Sequence, residues 1–386
     1  MKLKIKITSE YFYYCVLVLL LINNWWGDLQ VFKEGYQIVK PLVLGSAVVF
    51  LFILTMKEKY ISAELILIFL LIVIGMYTAY ITGSKWMLYS MILISFARKI
   101  DIENAMKITY ICMSAFLLIS VSIFFIQYIF AMSSLAVSED GLKYSMTFVG
   151  ANEAARYWIF WFALFLYINA GKKILFFKKI MVLILTAFFY FFTRSDALLM
   201  IPAMAVLKCL EHQKLFRRIV MKFAGLSFGI IWLLNLIVLK FEHTHFFEII
   251  NNFATGRFRL GLQGIETYGY TIFGQSRAGF FEWINLKGYG SYRLVVDNAY
   301  YMIMIQYGVF YLLLITFFCV KAKKRLNYKS ACCLVSYSVF ALAENVILSP
   351  TAIFPVIIAA NASWKSNAEG ADLLKNDKHI IRKCLE

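Results

Sequence analysis

Residues 61–81 read ISAELILIFLLIVIGMYTAYI. From Leu65 to Met76 no side chain is polar, and the stretch has the roughly 20 apolar residues that a helix needs to cross a hydrocarbon layer. A helix that is apolar on every face belongs in a membrane or deep inside a large core. The rest of the chain repeats the pattern. Of 386 residues, 62% are hydrophobic and 18% aromatic, which leaves too little polar surface to solvate a globule of this size. The predicted class is all-α, a polytopic transmembrane bundle. Its twelve spans are 11–26, 37–56, 61–81, 85–97, 107–131, 155–170, 174–192, 196–208, 219–240, 298–320, 329–347 and 350–364. Spans 85–97 and 196–208 are short, as expected of helices that are re-entrant or packed among others. Trp25, Trp26, Trp86, Trp158 and Trp161 fall near span ends, where aromatic belts form. No repeat of fixed period is visible. The basic-then-apolar start lacks a small-residue cleavage site before Trp25 and reads as an uncleaved first span.

The net charge is +17. With Met1 to Glu10 on the cytoplasmic side, most of the 39 basic residues fall in alternate connections. They include Lys57 and Lys59; Arg98, Lys99 and Lys107; Lys172 to Lys179; Lys208 to Lys222; Lys321 to Lys329; and the tail from Lys365. This is the asymmetry of the positive-inside rule, so the charge reports topology rather than a nucleic-acid partner. Both termini are then cytoplasmic. The layout is one integral membrane domain, 1–386, with a large extracytoplasmic loop at 241–297 between spans 9 and 10 and a cytoplasmic tail at 365–386. The seven cysteines lie in spans or on the cytoplasmic side, so the large loop has no disulfide framework.

A loop of more than 50 residues in a compact protein is functional or disordered, and the aromatic content here argues against disorder. Its segment HFFEIINNFATGRFRLGLQGIETYGY has helical spacing, with Phe258, Leu262 and Ile265 on one face and Arg259, Gln263 and Glu266 on another. Such a helix suits the membrane surface with its apolar side down. Arg257 and Arg259 would then bind phosphate, either on a substrate or simply on lipid headgroups. Asp297 and Asn298 stand at the outer start of span 10, where they either cap the helix or, with Tyr300 and Tyr301, bind sugar hydroxyls and ring faces. Arg194 and Asp196 interrupt apolar sequence in FFTRSDALLMIP and form a local pair or a phosphate clamp. FVGANEAARYW puts Asn152, Glu153 and Arg156 at the outer start of span 6, and Glu344 and Asn345 lie near the outer end of span 11. His243 and His245 point apart on a helix and make a poor metal pair, which leaves His243 as a candidate general base. No HExxH, phosphate-binding loop or DxD-type element is present.

Several of these elements together resemble Wzy-type polysaccharide polymerases of the O-antigen ligase superfamily. The resemblance rests on many spans, a late outer loop, Thr255-Gly256-Arg257 opening a helix, a Phe273-Gly274 turn, and Val296-Asp297-Asn298-Ala299-Tyr300 followed by Gly308. Thr193-Arg194-Ser195-Asp196 is similar to the family's Thr-x-Ser-Arg-like element, although here Arg precedes Ser. Gly150-Ala151-Asn152-Glu153 resembles a Pro-Asn element, with Ala151 in place of the proline. The resemblance implies a metal- and cofactor-independent glycosyltransferase in a bacterial cell membrane, making O-antigen, capsule or exopolysaccharide. Its partners would be undecaprenyl-diphosphate-linked repeat units and the bilayer, with chain-length regulator and flippase proteins as neighbours. Arg257, Arg259, Asp297 and His243 would be catalytic, and Arg194, Asn152, Glu266, Asn298 and Tyr300 would bind substrate. A ligase of the same superfamily and a lipid-linked oligosaccharide flippase are the competing readings.

Overall fold

The computed structural model describes residues 9–130, 143–276, 296–345 and 347–364, apart from positions 31, 59 and 61, together with the backbone of 283–286 and 290–293. Helices α1 (Ser9–Gly27), α2 (Lys33–Lys57), α3 (Ser62–Thr82), α4 (Trp86–Ser95) and α5 (Ile102–Ile129) come first. They are followed by α6 (Ala151–Ile168), α7 (Phe176–Thr193), α8 (Met200–Cys209) and α9 (Lys214–Leu239). Then come α10 (His245–Phe253), α11 (Arg257–Tyr268) and a short antiparallel hairpin, β1 (Trp283–Leu286) with β2 (Gly290–Arg293). The chain closes with α12 (Ala299–Met302), α13 (Val309–Ala322), α14 (Tyr328–Phe340) and α15 (Phe354–Trp364). The fold is helical, and α2, α3, α5, α7 and α9 are long and apolar enough to cross a membrane. Helices α4, α13 and α15 are apolar but shorter.

Local chemistry sets several helix starts. Asp101 caps α5 by accepting from the backbone N–H of Glu103 and Asn104, at 2.8 and 3.4 Å. Asn327 does the same for α14 through Ser330 N–H at 3.0 Å. Burial then sorts the helices. In α15, Val356 to Ala360 are at most 3% exposed, so this short helix is the centre of the bundle. Helix α2 lies at the rim and leaves Leu42 70% exposed, a face that lipid and not water would solvate. Helix α1 packs on α2, α3 on α4, and α9 on both α13 and α14.

The bundle has two chemically distinct ends. At one, Lys208 pairs with Glu211 at 2.6 Å, Arg98 with Glu64, and Lys329 with Glu103. This end collects Lys57, Lys214 and Lys321 at helix termini and is called the basic end. The other receives the end of α1, the start of α6 and the segment after α14. It is called the loop end, because Arg257 from α11 donates to Ala343 there. The N-terminal lysines and the tail 365–386 lie outside the described residues.

Three expected spans take a different form. The stretch 298–320 is interrupted: α12 runs into a π-turn at Ile303–Tyr307 and stops at Gly308 (φ 105°), where α13 begins. A π-turn and a break free backbone groups, which in an apolar environment must find partners. Residues Thr271–Gln275 of the loop supply them. Thr271 and Gln275 N–H donate to Met304 and Gln306 carbonyls at 3.3 and 3.1 Å, while Val309 and Phe310 N–H donate to Thr271 and Ile272 carbonyls at 2.8 and 3.1 Å. Gln275 Nε2 also donates to Ile305 O at 2.7 Å. A Cβ on Gly308 would lie 2.2 Å from Ile272 O, so only glycine admits this docking. The stretch 329–347 ends as a helix at Phe340, and 350–364 becomes helical only at Phe354.

The amphipathic loop segment is two helices instead of one. Thr255 (φ 52°) and Gly256 (φ 83°) turn the chain between α10 and α11. The apolar side of α11, expected to face a membrane surface, meets protein at Phe258, which is buried. It packs on α12, because Gly261 and Gly264 lack side chains where Tyr301 and Ile305 approach; a Cβ on Gly261 would meet the Tyr301 ring at 2.0 Å.

Candidate functional site

At the loop end, five charged or ionisable groups from four parts of the chain meet around Arg156. This residue sits in the second turn of α6 and is 7% exposed. Its guanidinium pairs with Glu153, one turn earlier, and its Nη1 lies 3.5 Å from Glu344 Oε2. Gly150 starts α6 and makes room for this, since a Cβ there would sit 2.5 Å from Glu153 Oε2. Glu344 follows α14 and is 2% exposed. Burial pushes its carboxyl up to about 7; Arg156 opposes the rise and Asp297 adds to it.

Asp28 reaches the same group from the end of α1. Tyr157 OH donates to its Oδ2 at 2.8 Å and Asn24 Nδ2 at 2.9 Å. Burial raises Asp28 to about 7, although the Tyr157 bond and the Arg156 charge pull it down. The position of Asp28 depends on residues 145–149, which pair with 28–30 through Val149 N–H to Asp28 O at 2.9 Å and Gln30 N–H to Thr147 O at 2.9 Å.

Arg257 and Asp297 arrive from the long loop. Arg257 Nε donates to Ala343 O at 3.0 Å, and its Nη1 bonds Ala254 O at 3.3 Å and the Thr255 hydroxyl. The arginine is thereby fixed on the segment that leads to Glu344. Asp297 is raised by burial and lowered by Arg257 and then Arg156, so both guanidinium groups act on it. Asn345 Nδ2 donates to Val296 O at 3.0 Å and ties the two segments together. Four carboxyls, those of Asp28, Glu153, Asp297 and Glu344, thus share two arginines. Two of them, Asp28 and Glu344, are raised to about 7, which is the condition for general acid and base chemistry.

Two cavities open on this network. One, of about 320 Å³, is bounded by Asp28, Trp86, Glu153, Arg156, Ser349 and Thr351. The second, an open cleft of about 730 Å³ between α1, α2 and the α3–α4 turn, shares Asp28 and Trp86 with the first.

The other expected site residues distribute as follows. Arg259 is exposed and pairs with Glu248, while its N–H caps onto Asn251 Oδ1 at 2.9 Å. His243 is on the surface beside Glu242, with Nε2 to Oε1 2.8 Å. His243, Glu266 and Arg259 border a separate open cleft of about 880 Å³, away from Arg156. Arg194 adopts a left-handed conformation (φ 48°) at the end of α7 and lies over the Phe191 ring at 5.3 Å. No ion pair joins it to Asp196 among the described residues, so the expected local pair is absent. Asn152 is exposed at the start of α6. Arg277 and the side chain of Arg293 lie outside the described residues.

Asn298 and Tyr300 correct the expectation most plainly. Both are fully buried. Asn298, and not Asp297, caps α12 by accepting from Tyr300 N–H at 3.0 Å, and its amide donates to Asn235 Oδ1 at 2.8 Å. Tyr300 OH donates to Ser338 O at 2.8 Å, and its ring packs on Phe228. Their polar atoms are spent inside the bundle, so neither is free to hold a sugar. Sequence reasoning overlooked Asp28 and Tyr157 and left Arg156 and Glu344 as ordinary helix-end polar residues. The available signal was a charged residue, Arg156, followed at once by wholly apolar helix, since a lone buried arginine demands acids nearby.

Fold and site together define a helical protein with membrane-capable helices and a buried arginine–carboxylate network at one end. No family model, no curated protein and no solved structure matches the chain.

Proposed function

We propose that this chain is a membrane polysaccharide polymerase of the Wzy type, transferring a growing glycan from undecaprenyl diphosphate to another lipid-linked repeat unit. In this reading the helical parts of the twelve segments lie in the cytoplasmic membrane of a bacterium, the loop end, with Glu344, faces outward and both termini face the cytoplasm. The observation that carries it is the convergence of Arg257 and Asp297 from the long loop with Arg156, Glu344 and Asp28. A hydroxyl of the acceptor sugar attacks C1 of the donor sugar, and the bond from C1 to the diphosphate oxygen breaks. The lipid diphosphate leaves with the electron pair, and arginine charge stabilises it. The hydroxyl proton passes to a carboxylate, for which Glu344 and Asp28, both near 7, are suited at neutral pH. The test is twofold. A strain lacking the protein should accumulate single repeats on lipid, and purified protein given only lipid-linked repeats should build a ladder. Longer glycans in that strain, or no ladder in vitro, would sink the polymerase reading; transfer to a different acceptor without a ladder identifies a ligase.

A flippase for lipid-linked oligosaccharide is a second reading, favoured by one feature: the helix broken at Ile303–Gly308, since interrupted helices mark transport sites. Cysteines placed along α12 and α13 decide it. Labelling of the same midplane positions from both sides of the membrane favours transport.

A further inference from the structure

We propose that the open cleft between α1, α2 and the α3–α4 turn is a subsite for an anionic saccharide, a sugar bearing a carboxylate or a phosphate. This deepens the polymerase reading and rests on it. Lys40 and Lys85 both border this open cleft. Lys40 is the only charged residue of α2 between Glu34 and Lys57. A cation in an otherwise apolar membrane-capable helix is costly, and it persists where something compensates it. Among the described residues no carboxylate pairs with Lys40 or Lys85; Lys40 Nζ rests over the Tyr36 ring at 5.2 Å. Asp28, the acid of the cleft, has its Oδ2 occupied by Tyr157 and Asn24. Two unpaired cations thus face one space.

The rest of the lining fits a sugar. Tyr36 and Trp86 offer ring faces for C–H surfaces, and the Asn23 amide at the cleft wall offers its N–H groups to a hydroxyl. Tyr36 OH already donates to Asn23 Oδ1 at 3.3 Å, which orients that amide at the cleft wall. The cleft is also placed for transfer. It shares Asp28 and Trp86 with the cavity under Arg156, so a bound saccharide would extend from the lysines toward the buried carboxylates.

The experiment uses the full chain in nanodiscs of neutral phosphatidylcholine. Three probes are titrated by microscale thermophoresis: inorganic pyrophosphate, a hyaluronan tetrasaccharide and neutral maltotetraose. The expected result is salt-sensitive binding of the hyaluronan tetrasaccharide, weakened at least 10-fold in the Lys40→Gln/Lys85→Gln protein, with maltotetraose binding far more weakly. A preference for the tetrasaccharide assigns the lysines to an acidic repeat unit, whereas a preference for pyrophosphate overturns the saccharide proposal by assigning them to the carrier diphosphate. Lys85→Gln alone, at an exposed position, guards against misfolding and should give an intermediate loss at an unchanged melting temperature. The proposal is overturned by no anion binding in the wild type, by equal affinity in the double variant, or by equal binding of maltotetraose. Because the readout is binding, anion capture without a glycan ladder would remove the polymerase reading and leave the subsite standing.

Discussion

Arg156 Nη1 stands 3.5 Å from Glu344 Oε2, and this contact joins the first turns of α6 to the segment that follows α14. The same guanidinium also holds the partly exposed Glu153, and removing it strands Glu344 in a place with little water. Breaking a buried pair from one side costs about 3–5 kcal/mol. Arg156→Ala should therefore lower thermal stability in detergent sharply, and Arg156→Lys, which keeps the charge without the fork, should lose less. Glu344→Gln should be milder than either, since it removes a charge that is already half neutralised. A melt of Arg156→Ala within a degree or two of the wild type would show that the network is not a structural joint.

The raised carboxyls also set a pH dependence. Glu344 and Asp28 titrate near 7 when folded and near their ordinary, lower values when unfolded. Between about pH 4 and pH 7 the folded protein therefore holds protons that the unfolded chain has released. Stability from these groups is highest at the acid side of that window and falls as pH rises, by at most about 1.4 kcal/mol per pH unit for each group. Melting temperatures measured from pH 5 to pH 7.5 should decline, and Glu344→Gln should flatten the slope. A slope identical in the two proteins would show that Glu344 is not protonated at neutral pH.

Gly308 and Gly171 make a matched comparison. Both have positive φ, 105° and 73°, but a Cβ on Gly171 meets nothing within 4 Å whereas one on Gly308 strikes Ile272 O. Gly171→Ala should cost about 1 kcal/mol, the backbone penalty alone. Gly308→Ala should cost several times more, because it expels Thr271–Gln275 and leaves the carbonyls of the π-turn unpaired. Limited proteolysis would register the second effect as new cleavage between α11 and the hairpin, and the same cleavage pattern in both variants would refute the docking argument.

Much of the helical framework is legible in sequence, and the exceptions share a cause. Runs such as Leu65–Met76 announce a helix because nothing polar interrupts them. The break at Gly308 is hard to see in the same way, because in Ile303–Tyr307 only Gln306 and the Tyr307 hydroxyl depart from a continuous apolar span. It exists because Thr271–Gln275 comes back from the loop to satisfy its backbone. Thr255-Gly256 likewise reads as part of one amphipathic period, although the positive φ of both residues splits it. At the site, Arg257 and Asp297 stand out in sequence because they are charged beside apolar spans. What local spacing cannot supply is the partner. Asp28 looks like a residue just past a helix, and only the pairing of 28–30 with 145–149 brings it to Tyr157. The reverse error befell Asn298 and Tyr300, whose sugar-binding chemistry is equally good at capping and at bonding Asn235 and Ser338 inside a bundle.

Arg257 and Arg194 separate the proposed chemistry from mere surface charge. Each was a candidate for gripping phosphate, yet Arg257 is locked to Ala343 beside the carboxylate network while Arg194 lies exposed over Phe191. An arginine that stabilises a departing diphosphate contributes in the transition state, where removal of one such donor lowers turnover by roughly 100-fold or more. Arg257→Ala should therefore collapse the glycan ladder made from lipid-linked repeats, with Arg257→Lys recovering part of it and insertion into the membrane unchanged. Arg194→Ala should leave the ladder within about threefold of the wild type, since a solvated arginine offers little beyond screened charge. Equal losses in the two variants, or a wild-type ladder from Arg257→Ala, would move the phosphate role away from the loop end and toward the lysine-lined cleft beside α2.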